Sequence, residues 1–224
     1  MIPEIHIEDY NYPLPDERIA KYPLPERDLS KLLRYKDGSV DEFVFKQIPD
    51  LLPSDAIMVF NDTKVVPARM HFQRETGAII EIFCLKPVCP AEYSTVFATT
   101  ETCTWRCVIG NSKRWKDDLL HLYNPDSNST ISGMNLSARL VSKDGETGIV
   151  EFKWDNGLPF SNVLEACGSV PIPPYLNRDT EAIDLERYQT LYAKYRGSVA
   201  APTAGLHFTQ EVLDGIRNRG IDIE

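Results

Sequence analysis

Residues 79–85 read IIEIFCL, the first of six short apolar runs of β type between residues 79 and 154. The others are STVFA (94–98), TWRCVI (104–109), LLHLY (119–123), LSARLV (136–141) and GIVEFKW (148–154). Turn-forming residues separate them and no helical periodicity interrupts them, which is typical of an antiparallel barrel or sandwich. We therefore predict an inserted β domain, a barrel or a sandwich, over residues 72–154, with a long polar loop, NPDSNSTISG, at 124–133.

The segment before the predicted barrel mixes short elements. KLLRYK (31–36) and SVDEFVF (39–45) flank Asp37-Gly38. This pair favours a type I′ turn and predicts a β-hairpin. AIMVF (56–60) is a continuous apolar run that ends in Asn61-Asp62-Thr63. Such a run is typical of a strand buried on both faces.

Helical patterns return after the predicted barrel. Helices are expected over 160–166 and from 180 to about 195, and Thr209 can cap a last helix. Residues 1–71 and 155–224 are therefore predicted to form one discontinuous domain of mixed α/β type around the inserted β domain. The final IDIE alternates like the start of a further strand, so this α/β domain is expected to be incomplete at its C-terminal end.

Composition favours a soluble protein. The 224 residues are 42% hydrophobic and 25% charged, as in ordinary folded domains. No apolar stretch approaches the roughly 18 residues of a membrane helix. The opening MIPEIHIEDYNYPLP lacks the basic and apolar parts of a signal peptide. We expect a cytoplasmic protein without membrane contact.

The net charge of −9 argues against broad binding of nucleic acid, which depends on Lys and Arg neutralising phosphates. A local basic patch is still compatible with that charge. Lys113, Arg114 and Lys116 form such a cluster around Trp115. The alternative is that these residues are a solvated turn.

Five cysteines, an odd number without framework spacing, predict free thiols rather than disulfides. Cys103, Cys107 and the later His121 raise the question of a metal site. On a strand, positions four apart share a face but lie about 13 Å apart. We favour buried thiols and expect no metal.

Two segments are candidates for a functional site. Asn61, Asp62 and Thr63 follow the predicted strand at 56–60, where strand ends hold polar groups rigidly. The alternative is a turn whose side chains satisfy local amides.

The second candidate is GSVAAPTAGLHFT (197–209). Its small residues allow a backbone or a flat ligand to approach closely, and its tight turn leaves N–H groups free. His207 follows this turn, and an imidazole titrates in the range that suits proton transfer. The alternative is a close-packed corner with a buried, hydrogen-bonded histidine.

Several of these segments together resemble one family. NDTKVVPARM (61–70), PIPPYLNRD (171–179) and DLERYQTLYAKYRGSVAAPTAGLHFTQEVL (184–213) are similar to the S-adenosylmethionine:tRNA ribosyltransferase-isomerase (QueA) family of queuosine biosynthesis. ERDLSKLL (26–33) and TGAIIEIFCL (76–85) resemble it with weaker spacing. The likeness is thinnest from about 86 to 150.

The resemblance implies an α/β barrel-like domain with a smaller β-barrel inserted. It also implies transfer and isomerisation of the ribosyl moiety of S-adenosylmethionine onto 7-aminomethyl-7-deazaguanine at the tRNA wobble position. Epoxyqueuosine-tRNA forms, and adenine and methionine leave. The family chain continues past Glu224 with a further strand and more helices, so this chain is expected to lack the C-terminal part.

The resemblance also suggests site residues. His207 is the candidate proton-transfer residue and Asp62 the second. Candidates for binding cofactor or substrate are Asn61, Thr63, Arg69, Arg178, Tyr188, Gln189, Ala201, Pro202, Thr203, Ala204 and Gly205. Lys113, Arg114 and Lys116 are the candidate tRNA contacts. A monomer that uses S-adenosylmethionine as ribosyl donor is expected.

Two other functions stay open at this point. One is a non-catalytic or truncated relative that binds nucleoside or RNA without turnover. The other is a nucleoside hydrolase that uses Asp62 and His207, for which support is only generic.

Overall fold

A closed six-stranded barrel is the largest unit of the protein. The computed structural model describes residues 4–116, 118–123 and 134–224, so the predicted loop at 124–133 lies outside the described residues. The strands are β1 (Lys31–Lys36), β2 (Ser39–Val44), β3 (Ile57–Met58), β4 (Thr63–Val65), β5 (Arg69–Gln73), β6 (Ile79–Cys89), β7 (Thr102–Ile109), β8 (Leu120–Leu122), β9 (Ser137–Asp144), β10 (Thr147–Lys153), β11 (Tyr195–Ser198) and β12 (Asp222–Ile223). The α-helices are α1 (Ile48–Leu51), α2 (Tyr93–Ala98), α3 (Phe160–Cys167), α4 (Asp184–Arg187) and α5 (Gln210–Asn218).

The barrel runs β10-β7-β6-β5-β8-β9 and closes between β9 and β10, with every neighbouring pair antiparallel. Its strands alternate between buried and more exposed residues, as in TCTWRCVI of β7. Because successive side chains of a strand point to opposite faces, this alternation fills the interior with one apolar set. Phe72, Trp105 and Phe152 lie fully buried there. The predicted barrel is confirmed, whereas its separation as a domain over 72–154 stays a prediction.

One of the six runs was assigned wrongly. STVFA (94–98) lies in α2 and not in a strand, so a helix does interrupt the series. Val96 and Phe97 are buried against the barrel, and Phe97 and Tyr93 pack 5.8 and 5.9 Å from the ring of Trp105. β-Branched residues favour strands only where a pleated surface accepts them, and here packing on the tryptophan overrides that preference.

The flanking segments supply a second core. It consists of Phe45, Phe208, Val212, Leu213, Ile216 and Ile221. The predicted hairpin is confirmed as β1 and β2, with Asp37 and Gly38 both at positive φ as a type I′ turn requires. Thr209 caps α5 as predicted, since its Oγ1 accepts a hydrogen bond from the Val212 amide at 3.3 Å.

AIMVF (56–60) is not buried on both faces as predicted. Only Ile57 and Met58 form a strand, β3, which pairs in parallel with the two-residue β12. Ile57 is 64% exposed and Val59 is 79% exposed. The described part of the chain covers one face of this run only, so alternate apolar side chains point to solvent.

The helix predicted from Thr180 to about Tyr195 is also wrong in extent. α4 ends at Arg187, and Tyr188 leaves the helical region with φ −90° and ψ 37°. The side chain of Gln189 then binds both main-chain groups of Val65, accepting from N at 2.8 Å and donating to O at 3.1 Å. This side-chain pairing leads into β11, which runs parallel to β4.

Candidate functional site

A cavity of about 450 Å³ lies between residues 20–31, the connection at 172–178 and the segment from α4 to His207. This volume falls in the range of small-molecule sites. Its apolar and aromatic lining includes Tyr22, Leu24, Ile172, Pro173, Tyr175, Leu176, Tyr188 and Leu206. Its charged lining consists of Lys21, Arg27, Lys31, Arg178, Asp184 and Arg187. A pocket with aromatic walls and several cations suits a ligand that has a planar part and a carboxylate group.

His207 lines this cavity at the end of the 3₁₀ turn Thr203–His207. Its ring lies 5.3 Å from the ring of Phe45, and the residue is half-buried. Within the described ranges, neither ring nitrogen has a hydrogen-bond partner. The imidazole is therefore not held by another group in the described part of the chain. Its proton-transfer role and the alternative of a structural histidine both stay predictions.

Two arginines hold the wall beside His207. Arg27 donates to the carbonyl oxygens of Gln189 at 2.6 Å, Glu186 at 2.8 Å and Leu206 at 3.3 Å. In return, Arg187 donates to the carbonyl oxygens of residues 24 and 25 at 2.6 and 2.7 Å. These charge-assisted bonds join segments about 160 positions apart in the chain. They fix the loop that carries His207 against residues 24–27.

The guanidinium of Arg178 forms a buried ion pair. It binds Asp184 with two parallel bonds of 2.8 and 2.7 Å, and its Nε donates to the Lys21 carbonyl at 2.7 Å. The Arg178 guanidinium holds the pKa of the Asp184 carboxyl below its usual range, against the opposing effect of burial. The guanidinium also stacks over the ring of Tyr22, 4.6 Å from its centroid. Arg178 therefore shapes the cavity wall, and its donors are already engaged.

Tyr188 and the small-residue segment meet at the cavity. Burial raises the pKa of the Tyr188 phenol, while a hydrogen bond with the Ala201 backbone opposes that shift. Thr203 lines the cavity, but Ala204 is exposed and does not. Pro202 is half-buried, and its carbonyl accepts from the Gly205 amide at 2.7 Å to close the turn.

Gly205 faces away from the cavity towards Tyr192 and Thr190. A Cβ at this position would lie 2.2 Å from the Tyr192 hydroxyl and 3.0 Å from Thr190 Cγ2. The smallness of this residue thus serves close packing of the turn. Gln189 is likewise structural, because both ends of its amide bind Val65.

The structure does not bring Asn61, Asp62 and Thr63 to the cavity of His207. Asn61 Oδ1 accepts from the Thr63 amide at 2.9 Å and from its hydroxyl at 2.6 Å, which is the local turn that the sequence left as an alternative. Asp62 lines a separate cavity of about 210 Å³, together with Tyr192 and Lys194.

The remaining predicted residues lie on the barrel. Arg69 begins β5, where its Nε is 3.6 Å from Glu81 and its guanidinium lies 5.7 Å from the ring centroid of Phe83. Lys113 and Arg114 are exposed in the 3₁₀ turn Ser112–Arg114, and Lys116 is exposed behind it. Trp115 is buried and anchors this turn to the barrel. The three cations are thus presented to solvent on a fixed base.

The cysteines do not form a ligand set with His121. Cys103 and Cys107 both face the barrel interior, whereas His121 is exposed on β8. Burial raises the pKa of Cys103 and of Cys84, which keeps these thiols protonated. Over the described ranges, no three His, Cys, Asp or Glu side chains gather as metal ligands would, and no helix is long and apolar enough to cross a membrane.

A family profile described as queuosine biosynthesis protein matches residues 7–224. The chain belongs to this family. Among curated relatives, it is 40% identical to the S-adenosylmethionine:tRNA ribosyltransferase-isomerase of Trichlorobacter lovleyi over 96% of this chain and 57% of the relative. It is 35% identical to the protein of the same name from Francisella tularensis subsp. novicida, again over 96% of this chain and 57% of the relative. The chain thus spans about 57% of the length of these relatives.

A solved structure, that of S-adenosylmethionine tRNA ribosyltransferase from Thermotoga maritima, is also similar. It matches at 21% identity over 96% of this chain and 56% of that chain, with a TM-score of 0.33. At this score the superposition adds nothing to the fold described above. That fold rests on the barrel and the parallel strand pairs of this chain.

Several residues of the site were missed by the sequence analysis. Arg27, Arg187, Tyr22 and Tyr175 line the cavity, yet none was among the predicted residues. The segment YPLPERD (22–28) reads as an ordinary Pro-rich connection. Its only signal was the weaker likeness of ERDLSKLL to the queuosine biosynthesis family, which includes Arg27.

Proposed function

We propose that this chain carries the donor site of an S-adenosylmethionine:tRNA ribosyltransferase-isomerase. The reaction moves the ribosyl moiety of S-adenosylmethionine onto 7-aminomethyl-7-deazaguanine at the tRNA wobble position, and releases adenine and methionine. The family membership and the names of the relatives support this activity. The observation that carries the proposal is the cavity beside His207, which combines aromatic walls with an imidazole that has no partner among the described residues.

The cavity offers what the donor needs. The rings of Tyr22, Tyr175 and Tyr188 provide flat apolar surface for adenine. Lys21 lines the same cavity and provides positive charge for the carboxylate of the methionine part. Lys31 also lines it, but its ammonium pairs with Glu42 at 3.1 Å. The guanidiniums of Arg27 and Arg187 hold backbone carbonyls, so their role is to keep the walls in place.

His207 has the proton-transfer role in this proposal. The sulfonium acidifies the adjacent ribose carbon, and a neutral imidazole takes the proton that leaves that carbon. The protonated imidazole can then donate to a ring nitrogen of adenine as the bond between adenine and ribose breaks, which balances the proton. Asp62 stays the second candidate, although it lines the separate cavity. The positive sulfur supplies the activation, so the proposed chemistry calls for no metal ion.

The proposed acceptor is tRNA carrying 7-aminomethyl-7-deazaguanine, and Lys113, Arg114 and Lys116 are the proposed contacts to it. Arg178, Gln189 and residues 201–205 act, in this proposal, by shaping or supporting the site. Asn61, Thr63 and Arg69 lie away from the cavity and stay candidates for binding substrate outside it. A cytoplasmic monomer fits such a role. Because the chain spans about 57% of its relatives, binding without turnover is the second candidate function.

Release of adenine tests the proposal. S-adenosylmethionine labelled in its adenine ring is incubated with the protein and a tRNA that carries the 7-aminomethyl-7-deazaguanine base. We expect labelled adenine only when this tRNA is present, and none with a tRNA that carries guanine at the wobble position. Binding of the donor without any release would support the non-catalytic alternative. Release that does not depend on tRNA would indicate a hydrolase and contradict the proposal.

A further inference from the structure

The outer wall of the barrel contains an unfavourable pair of like charges. Lys86 on β6 and Arg106 on β7 are directly opposite in the strand register, and both are exposed. Like charges at directly opposed positions of neighbouring strands destabilise a sheet. A pair of this kind costs stability in the isolated protein, so it calls for a reason outside the barrel.

Among the described residues, no carboxylate forms an ion pair with Lys86 or Arg106. Other barrel arginines do form ion pairs. Arg139, for example, binds Glu151 at 3.0 Å. Glu151 is the outward carboxylate of β10, the strand beside β7, and it is therefore already engaged. The two cations of β6 and β7 present their charge to solvent together.

Partly buried apolar side chains lie near the pair, and Thr104 and the carboxylate of Glu151 are also close to it in the strand register. Phe83 opposes Val108 in the same two strands, and the pair Cys84 and Cys107 lies between them and the pair Lys86 and Arg106. The guanidinium of Arg69 lies 5.7 Å from the ring centroid of Phe83. On the other side of Arg106, its partner in β10 is Ile149. Cations beside apolar side chains on the outer wall of a barrel suit a nucleic acid, which offers phosphates and sugar or base faces together.

The distribution of charge along the chain points the same way. Residues 69–154 contain ten Lys or Arg and ten Asp or Glu, so the remaining residues carry all of the net charge of −9. An approaching polyanion is therefore repelled by the flanking segments and meets its least unfavourable surface on the barrel. An acidic protein surface would be attracted by the same field, but its carboxylates would make no use of the apolar side chains beside the cations.

We propose that the outer wall of β6 and β7, centred on Lys86 and Arg106, binds the phosphate backbone of an RNA. The inference rests on the proposed function, in which that RNA is the tRNA acceptor. It adds a second contact surface to the turn of Lys113 and Arg114, which follows the end of β7. A strand rises about 3.4 Å per residue, so this turn lies within about 25 Å of Arg106 along the chain. One folded RNA can span both.

The test compares two double variants of the full 224-residue chain. Lys86→Ala with Arg106→Ala removes the proposed contacts, and Arg139→Ala with Lys153→Ala removes the same charge from β9 and β10. Binding of the precursor tRNA is measured by filter retention across a series of salt concentrations. Binding of S-adenosylmethionine is measured by equilibrium dialysis. If the double alanine variant has a lower Tm, the double variant Lys86→Gln, Arg106→Gln replaces it, because glutamine keeps more of the side-chain packing.

We expect the Lys86, Arg106 variant to bind tRNA about tenfold more weakly, with a slope of log affinity against log salt that is smaller by about 1 to 2. The control pair should change affinity by less than about threefold, and donor binding should be equal in all three proteins.

Equal tRNA affinity of the wild type and the Lys86, Arg106 variant would overturn the inference and leave the proposed function intact. A wild type that binds no tRNA and releases no adenine would overturn both. A variant that keeps its tRNA affinity but loses a self-association shown by the wild type would also overturn the inference. The wall would then bind the acidic surface of a second copy of the chain.

Discussion

At the scale of single residues, the site is defined by which polar groups are already satisfied. Gln189, Arg178 and Asn61 looked like ligand-binding residues, but their side chains are engaged within the protein. His207 differs, because its ring faces the cavity with no hydrogen-bond partner in the described part of the chain. Since buried polar groups are nearly always satisfied, a half-buried imidazole left free beside a cavity is the group most suited to act on a ligand.

The role of His207 can be measured directly. We expect His207→Ala to leave binding of S-adenosylmethionine nearly intact and to lower adenine release about a hundredfold or more, the usual range for a general acid–base. The assay needs a version of the protein with demonstrated turnover. His121→Ala is the matched control, since His121 is exposed on the barrel. If His207→Ala unfolds the protein, the histidine is structural, and if turnover is normal, Asp62 is the next residue to examine.

Arg178 and Asp184 make a pH-dependent contribution to stability. The pKa of Asp184 is lowered in the folded protein, chiefly by the hydrogen bonds from Arg178. This stabilisation is therefore complete above the usual pKa of an aspartate and is lost as the pH falls through the lowered value. Asp184→Asn leaves a buried guanidinium unpaired and should lower the free energy of unfolding by about 3 kcal/mol at pH 7.

Chemical denaturation across pH 7 to 3 measures this difference. The gap between wild type and Asp184→Asn should narrow at the acid end, because below the usual pKa of an aspartate the unfolded chain binds a proton that the folded protein does not. Asp41→Asn is the control, since its ion pair with Arg34 is exposed and such pairs contribute little. A gap that stays constant over this range would contradict the assignment of the stabilisation to the charge of Asp184.

At the scale of elements, the correct predictions from the sequence concern features that neighbouring residues determine. The hairpin at Asp37-Gly38, the Thr209 cap and the alternation of β7 each follow from neighbouring residues, and the structure confirms them. The errors arose where distant contacts decide. STVFA is helical because it packs on Trp105, and α4 ends because the Gln189 amide binds Val65, 124 positions away.

The cavity could not be predicted for the same reason. Its walls come from residues 20–31 and 172–207, and they are joined by guanidinium-to-carbonyl bonds. A bond between a side chain and a distant carbonyl leaves no pattern in sequence, because every residue offers the same carbonyl. The family likeness marked the segment of His207, but only the three-dimensional contacts show that Arg27 and Tyr22 belong to the same site.

The junction between α3 and the barrel depends on one glycine. A Cβ on Gly168 would lie 1.7 Å from the Pro67 carbonyl oxygen and 2.7 Å from that of Leu164, both backbone atoms that cannot rotate away. Gly168→Ala should therefore lower the free energy of unfolding by about 2 kcal/mol or more. Gly215→Ala in α5 is the control, because its Cβ would meet only the Pro49 side chain at 3.2 Å and alanine favours a helix. Thermal melts of both variants should show a much larger loss of Tm for Gly168→Ala; equal losses would mean that the junction adjusts freely.

At the scale of the whole molecule, charge separates the barrel from the rest. The flanking segments carry the net charge of −9, while residues 69–154 are balanced, and the turn of Lys113, Arg114 and Lys116 projects from that balanced part. Trp115 is buried and its Nε1 donates to the Asp118 carbonyl at 2.9 Å, so the turn is held while its cations remain exposed. The turn therefore presents Lys113, Arg114 and Lys116 to solvent from a buried anchor.

The salt dependence of tRNA binding distinguishes an RNA-binding turn from the alternative of a solvated turn. Changing Lys113, Arg114 and Lys116 together to Ala should weaken tRNA binding and reduce its salt slope by about 2 to 3, because each lost phosphate contact removes close to one released counterion. Donor binding should not change, since the turn lies on the barrel and the cavity is lined by residues 20–31 and 172–207. Arg18, Lys36 and Lys46, all exposed in the acidic flanking segment, form the matched triple control. If the two triple variants lose equal affinity, the effect is that of total charge alone, and the barrel turn has no specific contact with the RNA.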